Sequence, residues 1–375
     1  MPSRRSILLG VAGAGLALAG GGATWRVMRQ PGRAIAPWTI DPVAPADPRL
    51  NALRYAILAP NPHNRQPWLI HLIGTDSVAL SCDLAKRLPE TDPFDRQITI
   101  GFGTFIELAR IAAAEQGYRI EITPFPEGEP QPRLDRRPVA LLRFHQDATV
   151  RHDPLFAAIV RRHTNRNIYD PAAPTARQLA MVGQHDAQTS ADPRLLAGLR
   201  TLTVRAMTTE TLLHRTYMES VNVMRIGAAE MDATPDGLPV GGPLIEGMHA
   251  AGLLDRRQMA DPASMPFRMG LKMVQDGCGS VPAIIWITTP GNSRAEQLDA
   301  GRRYVRATLR AAALGLAICP MSQALQEYPE MANDFAAIHA MFGLGNGQRL
   351  QMLARIGTAA PVLPAPRWPL DNHLV

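Results

Sequence analysis

Cysteine, aromatic residues and clustered charge are all scarce in this chain of 375 residues. Its three cysteines, Cys82, Cys278 and Cys319, lie far apart, so they match neither a disulfide framework nor a zinc-binding spacing. No histidine stands at a metal-ligand spacing from another histidine or from a carboxylate, and we therefore expect no metal. Aromatic residues make up only 5% of the sequence, and they do not alternate with runs of basic residues.

Positive charge is in excess but dispersed along the chain. The sequence has 39 lysines and arginines against 33 acidic residues, a net charge of +6. Nucleic-acid binding is not expected, because such proteins concentrate basic residues in one run or on one face. The hydrophobic content of 46% and the charged content of 19% are typical of a globular protein with a large core. The length allows about two to three average domains, or one large domain.

The N-terminus resembles a bacterial twin-arginine export signal. Arg4 and Arg5 run into a weakly hydrophobic segment, rich in glycine and alanine, that ends near residue 23. The sequence at 17–19 is an acceptable cleavage site, and the glycine content disfavours a stable transmembrane span. Retention as an anchor and a buried N-terminal helix stay open as alternatives. We predict a signal at 1–23, a proline-rich linker or wrap at 24–48, and export by the twin-arginine machinery to the periplasm or cell envelope.

Two parts of the chain repeat one pattern of helix, glycine, strand and proline. A helix predicted at 103–117 is followed by a strand at 118–122, and a helix predicted at 301–315 is followed by an apolar run at 316–319. Each helix is preceded by a candidate strand and followed by a later strand that would close a sheet. These strands are predicted at 78–82 and 138–144 in the first part and at 283–287 and 350–357 in the second.

The repeat predicts an α+β fold that is built twice. We expect two mixed or antiparallel sheets packed with helices, in a first lobe at 49–150 and a second lobe at 151–375. A methionine-rich stretch at about 218–280 interrupts the second lobe. Methionine packs adaptably around flat ligands, so this stretch is predicted to be a lid. The alternative is ordinary helical packing against the second sheet.

A polar loop at 59–68 lies between a predicted apolar helix at 50–58 and a predicted strand at 69–73. Its three prolines exclude a helix and remove three N–H donors, so we expect a rigid, extended backbone. Two asparagines and a glutamine offer both donors and acceptors, which suits the edge of a flat heteroaromatic ligand. The alternative is a capped helix end with a polar connection.

A compact basic segment lies between the two repeats. Residues 161–166 contain three arginines and a threonine, and guanidinium groups match phosphate oxygens in pairs. The segment is therefore a candidate phosphate site. The alternative is a solvated basic end of a helix predicted at 153–163, since cations also favour helix C-termini.

Together these segments resemble the flavin-dependent nitroreductase family. The loop APNPHNRQPW at 59–68 is similar to that family's A/S-P-S-x-x-N-x-Q-P-W loop, and RRHTNR at 161–166 to its R-R-S/T-x-R motif. The similarity covers most of 50–375 and is closest to a fused, two-lobed branch similar to the mycobacterial Acg-type proteins, whose members often carry a twin-arginine signal. Three further segments resemble the family's late helix and turn, closing strand and tail: 301–323, 353–357 and 364–370.

The resemblance implies one FMN in each chain. In the homodimeric members one subunit supplies the arginines and the other supplies the loop. Here the second half has the arginines and the first half has the loop, and neither half has both. We therefore expect a monomer that imitates a dimer, with one complete site.

The resemblance also assigns contacts to FMN residue by residue. Arg161, Thr164 and Arg166 are expected at the phosphate or the pyrimidine edge, and Arg367 at the phosphate. Arg162 is the weaker candidate, with a side chain that points outward. The flavin rim is expected along Pro60, Asn61, Pro62, His63, Asn64 and Gln66, and the flavin N5 against Met321, Ser322 and Gln323. Two positions depart from the family pattern, because Ser322-Gln323 stands where many members have Glu-Gly and Ala365 where many have Lys.

The implied function is oxidoreduction, in which FMN passes a hydride through N5 to a small nitroaromatic or quinone-like acceptor. This scheme requires no catalytic acid or base. His63 is kept as a candidate proton donor, against the alternative that it satisfies a backbone carbonyl. Two other functions stay open: a protein that sequesters FMN with little or no turnover, and an interaction scaffold without FMN.

Overall fold

The structure is a computed structural model that describes residues 29–345 and 347–375. The predicted export signal and its cleavage site lie outside these residues. Within them, every helix is too short or too polar to cross a membrane.

The first lobe contains a four-stranded antiparallel sheet and one long central helix. The strands are paired in the order β1-β2-β4-β3, and the predicted strands at 69–73, 78–82, 118–122 and 138–144 correspond to them. The elements in chain order are α1 (Gly32–Ile35), α2 (Pro48–Ala56), β1 (Trp68–Ile73), β2 (Ser77–Cys82), α3 (Arg96–Ala114), β3 (Tyr118–Pro124) and β4 (Ala140–Gln146).

The second lobe repeats this arrangement around a large insertion. Its elements begin with α4 (Ala176–Gly183), β5 (Gln188–Ser190) and α5 (Pro193–Leu212). The insertion comprises α6 (His214–Asn222), β6 (Met224–Ile226), α7 (Gly227–Ala233), β7 (Leu238–Val240), α8 (Pro243–Ala250), α9 (Arg256–Ala260) and α10 (Met265–Gly279). The lobe ends with β8 (Ala283–Thr289), α11 (Arg294–Ala313), β9 (Ala317–Pro320), α12 (Ala332–Met341) and β10 (Arg349–Gly357).

The two sheets have the same topology. The second is paired in the order β5-β8-β10-β9, so in both sheets the strands stand in the order first, second, fourth, third. In both, the long helix connects the second strand to the third. The described residues therefore confirm the predicted α+β fold, built twice, and the pairs within both four-stranded sheets are antiparallel.

The two long helices, α3 and α11, cross at a pair of glycines. A Cβ on Gly103 would overlap the carbonyl oxygen of Leu298, and a Cβ on Gly301 would overlap that of Ile100. The same sequence separation relates Gly103 to Gly301 and Ile100 to Leu298, so the contact is reciprocal, as in a twofold dimer interface. Only glycine lets the two backbones come this close.

An arginine at the start of each long helix reaches into the opposite lobe. Arg96 begins α3 and donates to the carbonyl oxygens of Gln351 and Leu325 over 2.9 and 2.8 Å. Arg294 begins α11 and donates to the carbonyls of Pro130 and Pro132 over 3.1 and 2.9 Å. Both side chains are 1% exposed. The two arginines repeat the symmetry of the glycine pair and tie each lobe to the other.

Both long helices begin earlier than predicted. The sequence pattern predicted that they start at Gly103 and Gly301, whereas they begin at Arg96 and Arg294. Asp92 accepts hydrogen bonds from the N–H groups of Gln97 and Ile98, which satisfies the first free donors of α3. A Ser293–Glu296 capping box does the same for α11. The glycines are therefore crossing points inside the helices and not their starts.

We predict that alanine at either crossing glycine destabilises the whole chain. Gly103→Ala and Gly301→Ala place a methyl group against backbone atoms that cannot move aside, so each should lower the free energy of unfolding by at least about 2 kcal/mol. Gly270→Ala is the matched control, because Gly270 is also helical and an added Cβ there meets nothing within 4 Å. That variant should be neutral or more stable by up to about 1 kcal/mol. Urea unfolding of the three variants tests the crossing, and equal effects would contradict it.

Candidate functional site

The proline-rich loop is a strained turn and not the extended segment that the sequence predicted. Pro62–Asn64 forms one turn of 3-10 helix. His63, Asn64 and Gln66 have φ values of 45°, 54° and 51°, a left-handed region that residues other than glycine seldom adopt. Backbone strain of this kind is kept where the surroundings enforce it, which is common at functional sites. The prolines limit the neighbouring backbone but do not set these angles.

Three polar side chains hold the loop against itself and against the C-terminal tail. The Asn61 side chain accepts from the Gln66 N–H over 2.8 Å. Asn64 Nδ2 donates to the Pro366 carbonyl over 2.9 Å, and Gln66 Oε1 accepts from the Trp368 N–H over 2.9 Å. Asn64 and Gln66 are buried, so they fix the shape of the loop and bind it to the tail.

Two buried arginines meet at the end of α2. Arg162 Nη2 donates to the Leu58 carbonyl over 3.1 Å, and Arg367 Nη2 donates to the same carbonyl and to that of Ala59 over 3.2 and 3.0 Å. Arg367 Nη1 also donates to Asn64 Oδ1. The loop, the basic segment and the tail therefore meet at one point.

This arginine pair carries two positive charges that no carboxylate balances among the described residues. Each side chain is 2% exposed, and the Nε atoms of Arg162 and Arg367 are buried without an acceptor. Burial lowers the pKa of Arg162 to about 10, and burial together with the Arg162 charge lowers the pKa of Arg367. Buried charges are normally paired. The unused donors of this pair suit an anion with several oxygen acceptors, such as a phosphate.

The structure reverses the predicted orientations of Arg161 and Arg162, while their predicted contacts with FMN stay predictions. Arg161 is exposed, with its Nε donating to the Ala157 carbonyl over 3.2 Å, and Arg162 points inward. The predicted helix at 153–163 is a 3-10 turn, Phe156–Arg161, that ends before Arg162. Arg162 has extended backbone angles, so the turn stops at Arg161, and the two neighbouring side chains differ in burial.

The rest of the basic segment runs along the edge of the second sheet. Thr164 forms an isolated parallel bridge with Ile318 in β9, and the Asn165 side chain donates to the Ala360 carbonyl over 2.7 Å. Arg166 is exposed, and its charge contributes to the lowered pKa of His63. The segment therefore connects the arginine pair to the strand that leads into Met321.

His63 is not suited to donate a proton at neutral pH. Burial, with the charges of Arg166 and Arg65, lowers the pKa of His63 to about 4. The ring is therefore neutral at pH 7. Nε2 lies 3.4 Å from Ser220 Oγ, and Nδ1 is buried without a partner.

The insertion contacts the loop at three further points. Gln66 Nε2 donates to the Pro235 carbonyl over 2.8 Å, and the Gly237 N–H donates to the Asn64 carbonyl over 3.0 Å. Arg65 pairs with the buried carboxylate of Asp236 over 3.0 Å. The insertion is thus packed against the loop, while its role as a lid stays a prediction.

The predicted N5 turn, Met321 to Gln323, lies beside a buried acid that the sequence analysis did not identify. Met321 is buried, and its N–H donates to the Leu353 carbonyl over 2.8 Å. Glu210, in α5, accepts from Gln326 over 2.8 Å and has Gln323 beside it. Burial, with a smaller contribution from the charge of Glu219, raises the pKa of Glu210 to about 7. The carboxyl group next to this turn is therefore that of Glu210, which comes from helix α5.

We predict that Glu210 makes stability fall as the pH rises from about 4.5 to 7. Its pKa is raised in the folded state, so the folded protein holds a proton that the unfolded chain has released, and stability is lost over this range. The loss is on the order of 3 kcal/mol for Glu210 alone. Glu210→Gln should remove this slope and the exposed Glu127→Gln should keep it, in urea unfolding at about pH 5 and about pH 8. An unchanged slope in Glu210→Gln would contradict the assignment.

Comparison with known proteins gives relatives over most of the chain. No protein-family model matches it. Two curated proteins of Mycobacterium tuberculosis, from strains CDC 1551 / Oshkosh and ATCC 25618 / H37Rv, are each 28% identical to it over 334 residues, which is 85% of this chain and 89% of theirs. Both are named putative NAD(P)H nitroreductase.

Solved structures give a more distant likeness. The FMN-dependent nitroreductase NfnB of Mycobacterium smegmatis in complex with NADPH is 18% identical, with a TM-score of 0.34, over 58% of this chain and 97% of that one. A nitroreductase with bound FMN from Desulfitobacterium hafniense is 12% identical, with a TM-score of 0.34, over 59% and 97%. The sequence relatives therefore carry the assignment: this chain is related to putative NAD(P)H nitroreductases, and the predicted resemblance to the nitroreductase family is confirmed.

Proposed function

We propose that this protein is an FMN-dependent oxidoreductase of the nitroreductase type, in which Arg162 and Arg367 hold the FMN phosphate. The observation that carries the proposal is the buried arginine pair, which has two positive charges, unused Nε donors and no carboxylate partner among the described residues. The sequence relatives support the same conclusion, because both are named putative NAD(P)H nitroreductase.

The residues around the pair fit FMN. A phosphate needs several donors, and the Nε atoms of Arg162 and Arg367 offer them in a site that excludes water. The loop at 61–66 lies next to the pair and has a rigid backbone, which suits the rim of a flat ring. Arg162 of the basic segment reaches the start of the loop at this place, where it shares the Leu58 carbonyl with Arg367. These contacts support one FMN site in each chain.

The protein's part in the reaction is to position and shield the cofactor. FMN, when bound, supplies hydride transfer to an acceptor such as a nitroaromatic or a quinone. Arg162 and Arg367 would neutralise the phosphate. The His63 ring, which belongs to the loop and is neutral, would line the site without adding charge. The N–H groups of the Met321–Gln323 turn would lie at the far end of the basic segment.

Sequestration of FMN without turnover is the second candidate. The contacts of Ser220, Pro235 and Gly237 with the loop favour it, because a closed insertion would restrict access of an acceptor. The two candidates share the site and differ in whether a reductant and an acceptor can reach the flavin.

Substitution of the arginine pair tests the site. Arg162→Ala and Arg367→Ala should each weaken FMN binding by roughly tenfold to a hundredfold, because each removes charge-assisted hydrogen bonds worth about 1.5–3 kcal/mol. Arg161→Ala removes the same charge from the neighbouring exposed position and should leave affinity within about twofold. Fluorescence titration of the apoprotein with FMN measures the dissociation constant of each of the three variants. If Arg161→Ala is the variant that loses FMN, the assignment of the pair is wrong.

Anaerobic mixing of the FMN-loaded protein with NADPH distinguishes an oxidoreductase from a protein that only sequesters FMN. Rapid bleaching of the visible flavin absorbance, followed by its return when a quinone is added, is expected for an oxidoreductase. A yellow protein that stays oxidised would favour sequestration. A preparation that binds no flavin at all would contradict both.

We further propose that the protein is a monomer that is exported by the twin-arginine route, on the basis of the internal twofold arrangement and the Arg4-Arg5 pair. Export of the folded protein would let FMN be bound in the cytoplasm first. Light scattering of the purified protein tests the monomer, and a fusion to a reporter with Arg4→Lys and Arg5→Lys tests the export route.

A further inference from the structure

The segment that precedes the first lobe is not a free linker. The Ala34 N–H donates to Asp232 in α7 over 2.9 Å, and the Ala34 carbonyl accepts from the Arg367 N–H over 2.8 Å. Arg29 pairs with the same Asp232 over 3.1 Å. Residues 29–38, which we call the strap, therefore join the insertion to the C-terminal tail.

The strap ends with an indole ring over the arginine pair. The Trp38 ring centre lies 5.3 Å from the Arg367 guanidinium carbon and 5.8 Å from that of Arg162. Trp38 Nε1 donates to the Ala365 carbonyl over 2.8 Å, and the His163 ring packs edge-on at 4.7 Å. Trp38 is 7% exposed. The ring is thus fixed by the tail and by the basic segment, directly above both charges.

An indole face attracts cations but cannot replace an anion. Its quadrupole stabilises a guanidinium group by about 0.5–2 kcal/mol, which is less than a phosphate offers, and it leaves the Nε donors unused. What the ring does supply is exclusion of water, which strengthens any charge interaction beneath it. A positively charged site that is covered by a ring suits a ligand whose anionic group is its last group.

We infer that Trp38 is a binding residue of the arginine site, and that the strap closes the site over a terminal phosphate. The inference rests on the proposed function and adds two properties to it. Release of FMN must lift the indole from Arg162 and Arg367, so release is slow. A flavin whose phosphate continues into a second nucleotide, as in FAD, meets the strap and is rejected.

Flavin dissociation tests the cover without any enzymatic assay. Wild type, Trp38→Ala and Trp38→Phe are loaded with FMN, and release is followed by the recovery of flavin fluorescence after dilution. Trp38→Ala should release FMN roughly tenfold faster, and Trp38→Phe should lie between it and wild type, because a ring remains but its anchor to Ala365 is lost. Trp286→Phe is the control, since Trp286 packs against Phe342 in the second lobe and should release FMN at the wild-type rate.

Selectivity provides the second measurement. Wild type should bind FMN more tightly than FAD, and Trp38→Ala should reduce this preference by about tenfold. Equal release rates in wild type and Trp38→Ala, or equal binding of FMN and FAD by wild type, would overturn the inference while leaving the FMN site intact. Absence of flavin binding in wild type and in every variant would instead remove the proposed function. Thermal unfolding of the apoproteins shows whether Trp38→Ala is folded, and Trp38→Phe gives the answer if it is not.

Discussion

The close approach of two glycines at the crossing of α3 and α11 is the constraint on which the rest of the structure depends. Gly103 and Gly301 let the backbones touch, and the crossing fixes how one sheet stands relative to the other. Arg96 and Arg294 can reach carbonyl groups of the opposite lobe only at this spacing. Glu107 then lies within 3.1 Å of Arg302 and 3.0 Å of Arg306, which joins the helices through buried charge. Side chains of ordinary size at the crossing would separate all of these partners.

The crossing is symmetric, but the candidate site is not. Its two arginines come from the start of the second lobe and from the tail after β10, while its loop belongs to the first lobe. The tail continues to the edge of the first sheet, where the Ile70 N–H donates to the His373 carbonyl over 2.8 Å. A twofold scaffold thus brings three distant segments to one place, where the pair of charges has no carboxylate partner among the described residues.

The sequence predicted the repeat well, because helix, terminal glycine and strand recur at the same separation. It predicted the starts of the two long helices poorly, since Gly103 and Gly301 resemble starts when their packing partners are unknown. Arg161 was preferred to Arg162 on the resemblance of 161–166 to the family motif, and the sequence did not show that the turn would stop at Arg161 and leave that side chain exposed. Trp38 was missed because a proline-rich segment resembles a linker, and the backbone angles at His63 and Asn64 depend on contacts that no local pattern encodes.

The tail also sets an order of events during synthesis. Arg367 follows β10, so a growing chain acquires the second guanidinium of the pair only after the strands of both sheets have been synthesised. Until then Asn64 and Leu58 lack their partner, and Arg162 stands alone. In the proposed FMN site, a chain that lacked the tail would therefore bind flavin through Arg162 alone, and yellow colour would report chains that carry Arg367.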